Sequence, residues 1–171
     1  MVDAIFSEPR LAAIYDALDS DRSDLDVYAS IVDELAARSV LDLGRGTGTF
    51  ACPLANRGKE VTAVDPAVAS VAVAQRKAGA ECVRWLVGDA GILPALRVDL
   101  LTMTGNVAQV FVTDDEWMST LRASFATLRP GATSCSRSAI QRARRGATGT
   151  ARNPIVALMS PTSGQSRPGW S

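Results

Sequence analysis

The sequence predicts an α/β domain built on a doubly wound, mostly parallel sheet, and three observations carry that reading. Four short runs, 40–43, 61–64, 83–87 and 99–104, are largely apolar along their length rather than alternating. Strands of that kind are buried on both faces. Segments with helical spacing separate them, the pattern of parallel strands joined by crossovers. Each run is followed or closed by a glycine or an acid: Gly44, Asp65-Pro66, Gly88-Asp89 and Gly105-Asn106. Right-handed crossovers bring all four ends to one edge, where open α/β sheets bind their ligands.

The elements follow in chain order. Residues 5–18 place Ile5, Leu11, Ile14, Tyr15 and Leu18 at helical spacing behind Pro9 and predict an amphipathic helix. Ser23 is expected to cap a second helix over 24–37, with Asp26 three residues on and Leu25, Tyr28, Ile31, Val32 and Leu35 as its apolar stripe. After the first strand, a helix through Phe50, Leu54 and Ala55 closes at Gly58. The alanine-rich stretch 67–78 predicts another, stopping at Gly79. Pro94 makes the crossover over 90–97 irregular. Thr113 and Glu116 form a capping-box pair ahead of Trp117, Leu121, Phe125 and Leu128, and Arg129-Pro130-Gly131 is expected to end that helix.

Composition removes several classes of function. The chain has 171 residues, enough for one core. No stretch reaches the roughly 18 apolar residues of a membrane span. The N-terminus lacks a secretory profile, and three unclustered cysteines point to a reducing compartment, so a cytoplasmic location is expected. Histidine is absent, which argues against histidine-based triads and many zinc sites; no metal is expected. Basic and acidic residues balance at 18 each, but unevenly along the chain. Residues 1–116 hold all the acids and a net charge of −8, whereas 117–171 hold eight arginines and a net charge of +8.

The run Val40-Leu-Asp-Leu-Gly-Arg-Gly-Thr-Gly-Thr49 is the strongest chemical signal. Gly44, Gly46 and Gly48 allow a tight turn and let a ligand approach bare backbone. Thr49 stands where a dinucleotide fingerprint needs its last glycine, so NAD is a weak alternative, and no Lys-Ser/Thr pair follows to make a P-loop. Asp42 would repel a pyrophosphate but can receive an ammonium group, which favours a zwitterionic ligand. Asp65 ends the second strand, 19 residues after Gly46, where a carboxylate can accept both hydroxyls of a ribose. Asp89, beside Gly88 and Ala90, can accept from an adenine amino group.

With these pieces in place the chain resembles the class I S-adenosylmethionine-dependent methyltransferases, in particular the small bacterial type. The matching segments are Leu41-Asp-Leu-Gly-Arg-Gly-Thr-Gly48, Val61-Thr-Ala-Val-Asp65, Gly88-Asp-Ala90, Asp99-Leu-Leu-Thr-Met-Thr-Gly-Asn-Val-Ala-Gln109 and Leu128-Arg-Pro-Gly131. The resemblance covers about residues 10–131 and implies a Rossmann-like fold with S-adenosylmethionine as cofactor. By position, it implies that Asp42 and Gly44, Gly46 and Gly48 face the methionine portion. Asp65 with Pro66 would hold the ribose, and Asp89 with Ala90 would flank the adenine. Asn106 and the Met103-Thr104-Gly105 turn would line the methyl group. Tyr15, Arg22 and Tyr28 lie in N-terminal helices that often cover the cofactor in such enzymes. The domain division expected is an N-terminal helical cap over 1–38, the cofactor-binding core over 39–131 and a basic tail over 132–171.

Two departures from the family pattern bear on function. Position 45 is usually small, and Arg45 is expected either to swing outward or to pair with a nearby acid and crowd the methionine tail, weakening the cofactor. The second lies after Gly131, where Ala-Thr-Ser-Cys-Ser-Arg-Ser138 is too small and polar for a central strand. The C-terminal strands are therefore expected to be incomplete or degenerate, leaving the fourth strand as an open edge prone to self-association. The change in composition has the look of an out-of-frame continuation. A basic tail for nucleic acid is the rival reading, disfavoured because it lacks interleaved aromatics. The function expected is methyl transfer to a small-molecule acceptor, with a catalytically inactive cofactor-binding remnant or an NAD-dependent oxidoreductase as alternatives.

Overall fold

The computed structural model describes residues 2–105, 107 and 110–136. Helices α1 (Ala4–Ser7), α2 (Pro9–Leu18) and α3 (Asp24–Glu34) precede β1 (Ser39–Leu43) and α4 (Ala51–Asn56). Then come β2 (Glu60–Asp65), α5 (Val68–Ala74), β3 (Val83–Val87), β4 (Val98–Met103), α6 (Asp114–Phe125) and β5 (Leu128–Ser136). The five strands form one sheet in the order β3-β2-β1-β4-β5, and every pairing is parallel. This is the α/β, Rossmann-like architecture expected from the continuous apolar runs.

The two-residue repeat of the strands divides the core. Val40, Val61, Ala63, Val83 and Leu100 face one side and pack with Tyr28 and Val32 of α3, with Phe50 just ahead of α4 and with Leu54 of α4. Leu41, Leu43, Val64, Leu101 and Met103 face the other, against Trp117, Leu121 and Phe125 of α6. Both faces are covered, so neither face of β1 can tolerate a polar side chain without a partner. Below the sheet, Asp99 ties β4 to the start of β1. Its Oδ2 accepts from the backbone of Arg38 (3.0 Å) and Ser39 (2.9 Å) and from Ser39 Oγ (2.9 Å), and its Oδ1 pairs with Arg129. Burial alone would push its carboxyl up; those donors win and hold it at about 2. Among the described residues no helix is long and apolar enough to cross a membrane.

Several local expectations are corrected. The helix over 5–18 is broken at Glu8 (φ −82°, ψ 121°), because the residue before a proline is sterically driven out of the helical region. Its apolar stripe faces inward only in part: Ile5, Leu11 and Tyr15 are half-buried, but Ile14 and Leu18 are 48% and 68% exposed, whereas Ala12 is buried. Ser23 has helical dihedrals and makes no capping bond, and α3 stops at Glu34, before the left-handed Ala36 (φ +49°). The crossover after β3 is irregular, as Pro94 suggests, with a short 3₁₀ turn over Ala90–Ile92. The capping box of α6 is formed, with Glu116 N donating to Thr113 Oγ1 (3.2 Å) and Thr113 N to Glu116 Oε2 (3.3 Å).

The main correction concerns the end of the sheet. Arg129-Pro130-Gly131 does not end α6 but lies inside β5, at a register shift in its pairing with β4. Pro130 has no N–H to give the ladder and Gly131 sits at φ +81°, so the pairing breaks there and resumes with Leu100 opposite Thr133 and Leu101 opposite Ser134. Thr133 and Cys135 are buried despite their small, polar character. The backbone ladder of β4 recruits them, and threonine suits a pleated strand. The outer side of β4 is therefore covered by β5, not left open. Residues 137–171 of the expected tail, and Asn106, lie outside the described residues.

Candidate functional site

The edge at the C-terminal ends of the strands gathers the acids and glycines. Gly44, Gly46 and Gly48 take φ of +69°, +54° and +76°, the left-handed region that an L side chain enters only with strain. The turn they make carries the chain from β1 over the sheet edge into α4. A Cβ on Gly48 would come within 2.9 Å of Ala74 and Trp85, and one on Gly44 would come within 2.4 Å of Val107. A Cβ on Gly46 would meet nothing within 4 Å, so the middle of the turn presents open backbone.

Asp42 is fully buried one residue before the end of β1, in register with Ala63 of β2 and Thr102 of β4. Its Oδ1 accepts from Thr102 Oγ1 at 3.0 Å, while its Oδ2 is buried with no partner. Desolvation is the dominant effect on it and pushes its carboxyl up to about 7, against the opposing pull of Thr102 and Arg45. An acceptor left without a donor in a dry site is costly.

Asp65 closes β2 on the same sheet face as Ala63, nearly buried. Its Oδ2 accepts from Gly46 N at 2.7 Å and its Oδ1 from Ala67 N at 2.8 Å. Asp89 is the neighbour beyond β3: Asp65 is in register with Val87, and Gly88 N donates to Asp65 O at 3.0 Å. The Asp89 side chain is exposed and accepts from Gly91 N at 2.8 Å, which shapes the 3₁₀ turn that buries Ala90. Pro66 is exposed beside Asp65. The structure thus brings Asp42, Asp65, Asp89 and the three glycines to one edge. Met103 and Thr104 at the end of β4 are buried, and Gly105 has open space on its Cβ side.

Arg45 takes neither of the expected paths. It turns inward, 5% exposed, with its guanidinium 4.1 Å from the centre of the Trp85 ring. The aromatic face offers a cation a partner that, among the described residues, no carboxylate supplies at contact distance.

Of the N-terminal residues named as a cover, Tyr28 and Tyr15 make their contacts elsewhere, whereas Arg22 is near enough for its charge to pull the Asp42 carboxyl down. Tyr28 is buried edge-on to Phe50 at 5.9 Å in the core. Tyr15 packs on Phe6 and donates to Asp19. Arg22 lies 3.9 Å from Asp19 and 3.7 Å from Asp24. The residue that reaches the turn is Asp16, which the sequence reading missed. Asp16 accepts from Thr47 Oγ1 (2.5 Å) and Thr49 Oγ1 (3.2 Å) and pairs with Lys77 at 2.5 Å. Burial raises its carboxyl, but Lys77 and Thr47 outweigh it and the net direction is down. Its signal in the sequence is position: Asp16 stands four residues after the buried Ala12, on the same helix face.

A separate cleft of about 430 Å³ opens at the opposite edge, beside Arg38, Asp99, Arg129 and Gly131. It shares no residue with the glycine turn, and the Asp99 carboxylate in it is committed to backbone and Arg129 partners.

Comparison with known proteins bears on the fold and the family. The chain is similar to the methyltransferase CcbJ of Streptomyces caelestis, with 26% identity, a TM-score of 0.67, and coverage of 79% of this chain and 58% of that one. It is similar to the S-adenosylmethionine-bound amino pentose methyltransferase CalS10 of Micromonospora echinaspora, with 25% identity, a TM-score of 0.64, and coverage of 72% and 55%. A TehB-like S-adenosylmethionine-dependent methyltransferase of Corynebacterium glutamicum shares the fold at 22% identity and a TM-score of 0.62, with coverage of 75% and 73%. The chain therefore spans little more than half the length of the first two relatives. No functionally curated protein matches it. A methyltransferase-domain family model matches residues 40–131, from the first residues of β1 through the glycine turn to Gly131. Over more than half of its length, and on the strands and turns that build the site, the chain belongs to the methyltransferase-domain family.

Proposed function

We propose that the chain is a domain that binds S-adenosylmethionine and transfers its methyl group to a small-molecule acceptor. The observation that carries this reading is that β1 ends with an unpartnered buried oxygen on Asp42 and runs into a turn whose open Gly46 backbone is held by the Asp65 carboxylate. Those groups suit a nucleoside with a zwitterionic aminoacyl arm. Asp42 Oδ2 is the acceptor assigned to the ammonium in this reading, and the held proton of its raised carboxyl would leave as the ammonium arrives. Asp65 already uses one lone pair on each oxygen for the backbone and keeps others for the ribose hydroxyls. Asp89 and Ala90 flank the adenine position, with Asn106 expected near the methyl group.

When bound, S-adenosylmethionine supplies a sulfonium methyl group whose sulfur leaves as a neutral thioether. The protein's share of the work is positioning, so a chain without histidine is not handicapped. The amino pentose methyltransferase among the structural relatives makes small polar amines and hydroxyls the first acceptors to try. Calorimetric titration tests the cofactor assignment. One-site binding of S-adenosylhomocysteine and no binding of NAD is the expected result; binding of NAD alone, or of neither by the wild type and by folded variants at Arg45 alike, would overturn it.

A further inference from the structure

The residue between the first two glycines is a cation held in a dry place. Arg45 Nη1 donates to Gly46 O at 3.1 Å, while its Nε and Nη2 are buried with no hydrogen-bond partner among the described residues. The ring beneath it is itself fixed, because Trp85 Nε1 donates to Ala80 O at 2.8 Å and the ring lies against Gly48. Asp42 and Asp65 attract Arg45, yet among the described residues no carboxylate lies within ion-pair distance of it. Burial lowers its pKa to about 10, which leaves it charged at neutral pH. A charge out of water, met only by an aromatic face and one carbonyl and by no counter-ion at contact distance among the described residues, keeps a long reach, since the surrounding dielectric is low and salt does not screen it.

The two forms of the nucleoside differ in how they meet that charge. S-adenosylmethionine and S-adenosylhomocysteine share the adenine, ribose, ammonium and carboxylate. They differ by one methyl group and by the positive charge on sulfur. Any attraction between Arg45 and the shared carboxylate cancels in the ratio of their affinities, whereas repulsion of the sulfonium does not. Resting on the proposed cofactor site, we infer that Arg45 is a specificity-determining residue that sets the glycine turn to hold the neutral thioether over the sulfonium. The domain is then biased towards its product-bound form, and turnover depends on removal of S-adenosylhomocysteine. At an effective dielectric near that of a partly buried site, a unit charge across the width of such a turn changes the ratio by about tenfold.

Calorimetry with both nucleosides on the wild type and on Arg45→Met, Arg45→Gln and Arg45→Lys tests this, with thermal melting of each variant to show that it folds. The neutral variants are expected to gain affinity for S-adenosylmethionine and to lower the affinity ratio by about tenfold, while Arg45→Lys keeps the wild-type ratio. Two neutral variants guard against one failing to fold. An unchanged ratio in a folded neutral variant would overturn the inference and leave the cofactor site standing. So would binding of both nucleosides to the neutral variants and of neither to the wild type, since that is steric blockade. Failure of every folded protein to bind either nucleoside would instead remove the cofactor site itself.

Discussion

Asp65 Oδ2 accepts the N–H of Gly46 at 2.7 Å, so the carboxylate that ends β2 holds the middle of the glycine turn that leaves β1. The second strand thereby shapes the loop of the first. One side chain has both a structural task and a candidate ligand task, and the two can be separated. Asp65→Ala removes the acceptor from two backbone N–H groups and is expected to cost about 3 kcal/mol, as well as binding of S-adenosylhomocysteine. Asp65→Asn retains one acceptor and is expected to recover part of the stability but little of the binding. Urea unfolding and calorimetry read the two effects; equal binding by the parent and a folded Asp65→Ala would refute the ribose assignment.

Asp42 makes stability depend on pH with a definite sign. Its folded pKa, about 7, stands above the ordinary aspartate value of 3.8, so the native state holds the proton more tightly than the unfolded chain. The contribution is most favourable below the unfolded value and declines as pH rises from about 4 to about 7. Asp42→Asn removes the ionisation and keeps an acceptor for Thr102. The variant is expected to melt several degrees above wild type at pH 8 and close to it at pH 4. A gap that stays constant across that range would contradict the buried ionisation.

Gly44 and Gly46 differ in what a methyl group would strike. Both have positive φ, so alanine at either costs about 1–2 kcal/mol in backbone strain. At Gly46 the new Cβ enters open space, whereas at Gly44 it runs into Val107. Gly46→Ala is therefore expected to fold and to lose S-adenosylhomocysteine affinity, while Gly44→Ala loses more stability. Equal melting temperatures for the two variants would count against the close approach of Val107.

Asp16 fastens α2 to the glycine turn through Thr47, Thr49 and Lys77. The Asp16–Lys77 pair is partly exposed, so its share is screened and Asp16→Asn is expected to cost only about 1 kcal/mol. Because the folded carboxyl of Asp16 is lowered, that contribution is present above its unfolded pKa and is lost as pH falls through the acid range. Denaturant melts at pH 7 and pH 3 check this: the difference between wild type and variant should shrink at the lower pH. Faster proteolytic cleavage within residues 1–23 of the variant is expected as well.

The readable parts of the molecule are those governed by neighbours in sequence. Val83–Val87 forms β3 with the expected bounds, and Thr113 and Glu116 cap α6 reciprocally, because both depend on residues within one turn or one strand. The glycine turn belongs with them, since its left-handed dihedrals need glycine whatever surrounds them. Helix α2 shows the opposite case. Its apolar stripe suggested a buried face through Ile14 and Leu18, yet the packed side carries Ala12, with Asp16 one turn on against the glycine turn. A small helix face fits closely against α5, and periodicity alone does not register that fit.

The order of strands and helices, the bare-backbone turn and the acids at the strand ends were settled by the amino-acid sequence itself, through apolar runs, helical spacing and the conformational freedom of glycine. The fate of Arg45, the reach of Asp16 and the existence of β5 were decided only in three dimensions. Each depends on a partner remote along the chain: an indole on β3, two threonines and a lysine across the turn, and the unpaired backbone edge of β4. That edge offers hydrogen bonds to any chain that can lie extended beside it, so Ala132–Ser136 becomes a strand although its side chains do not ask for one.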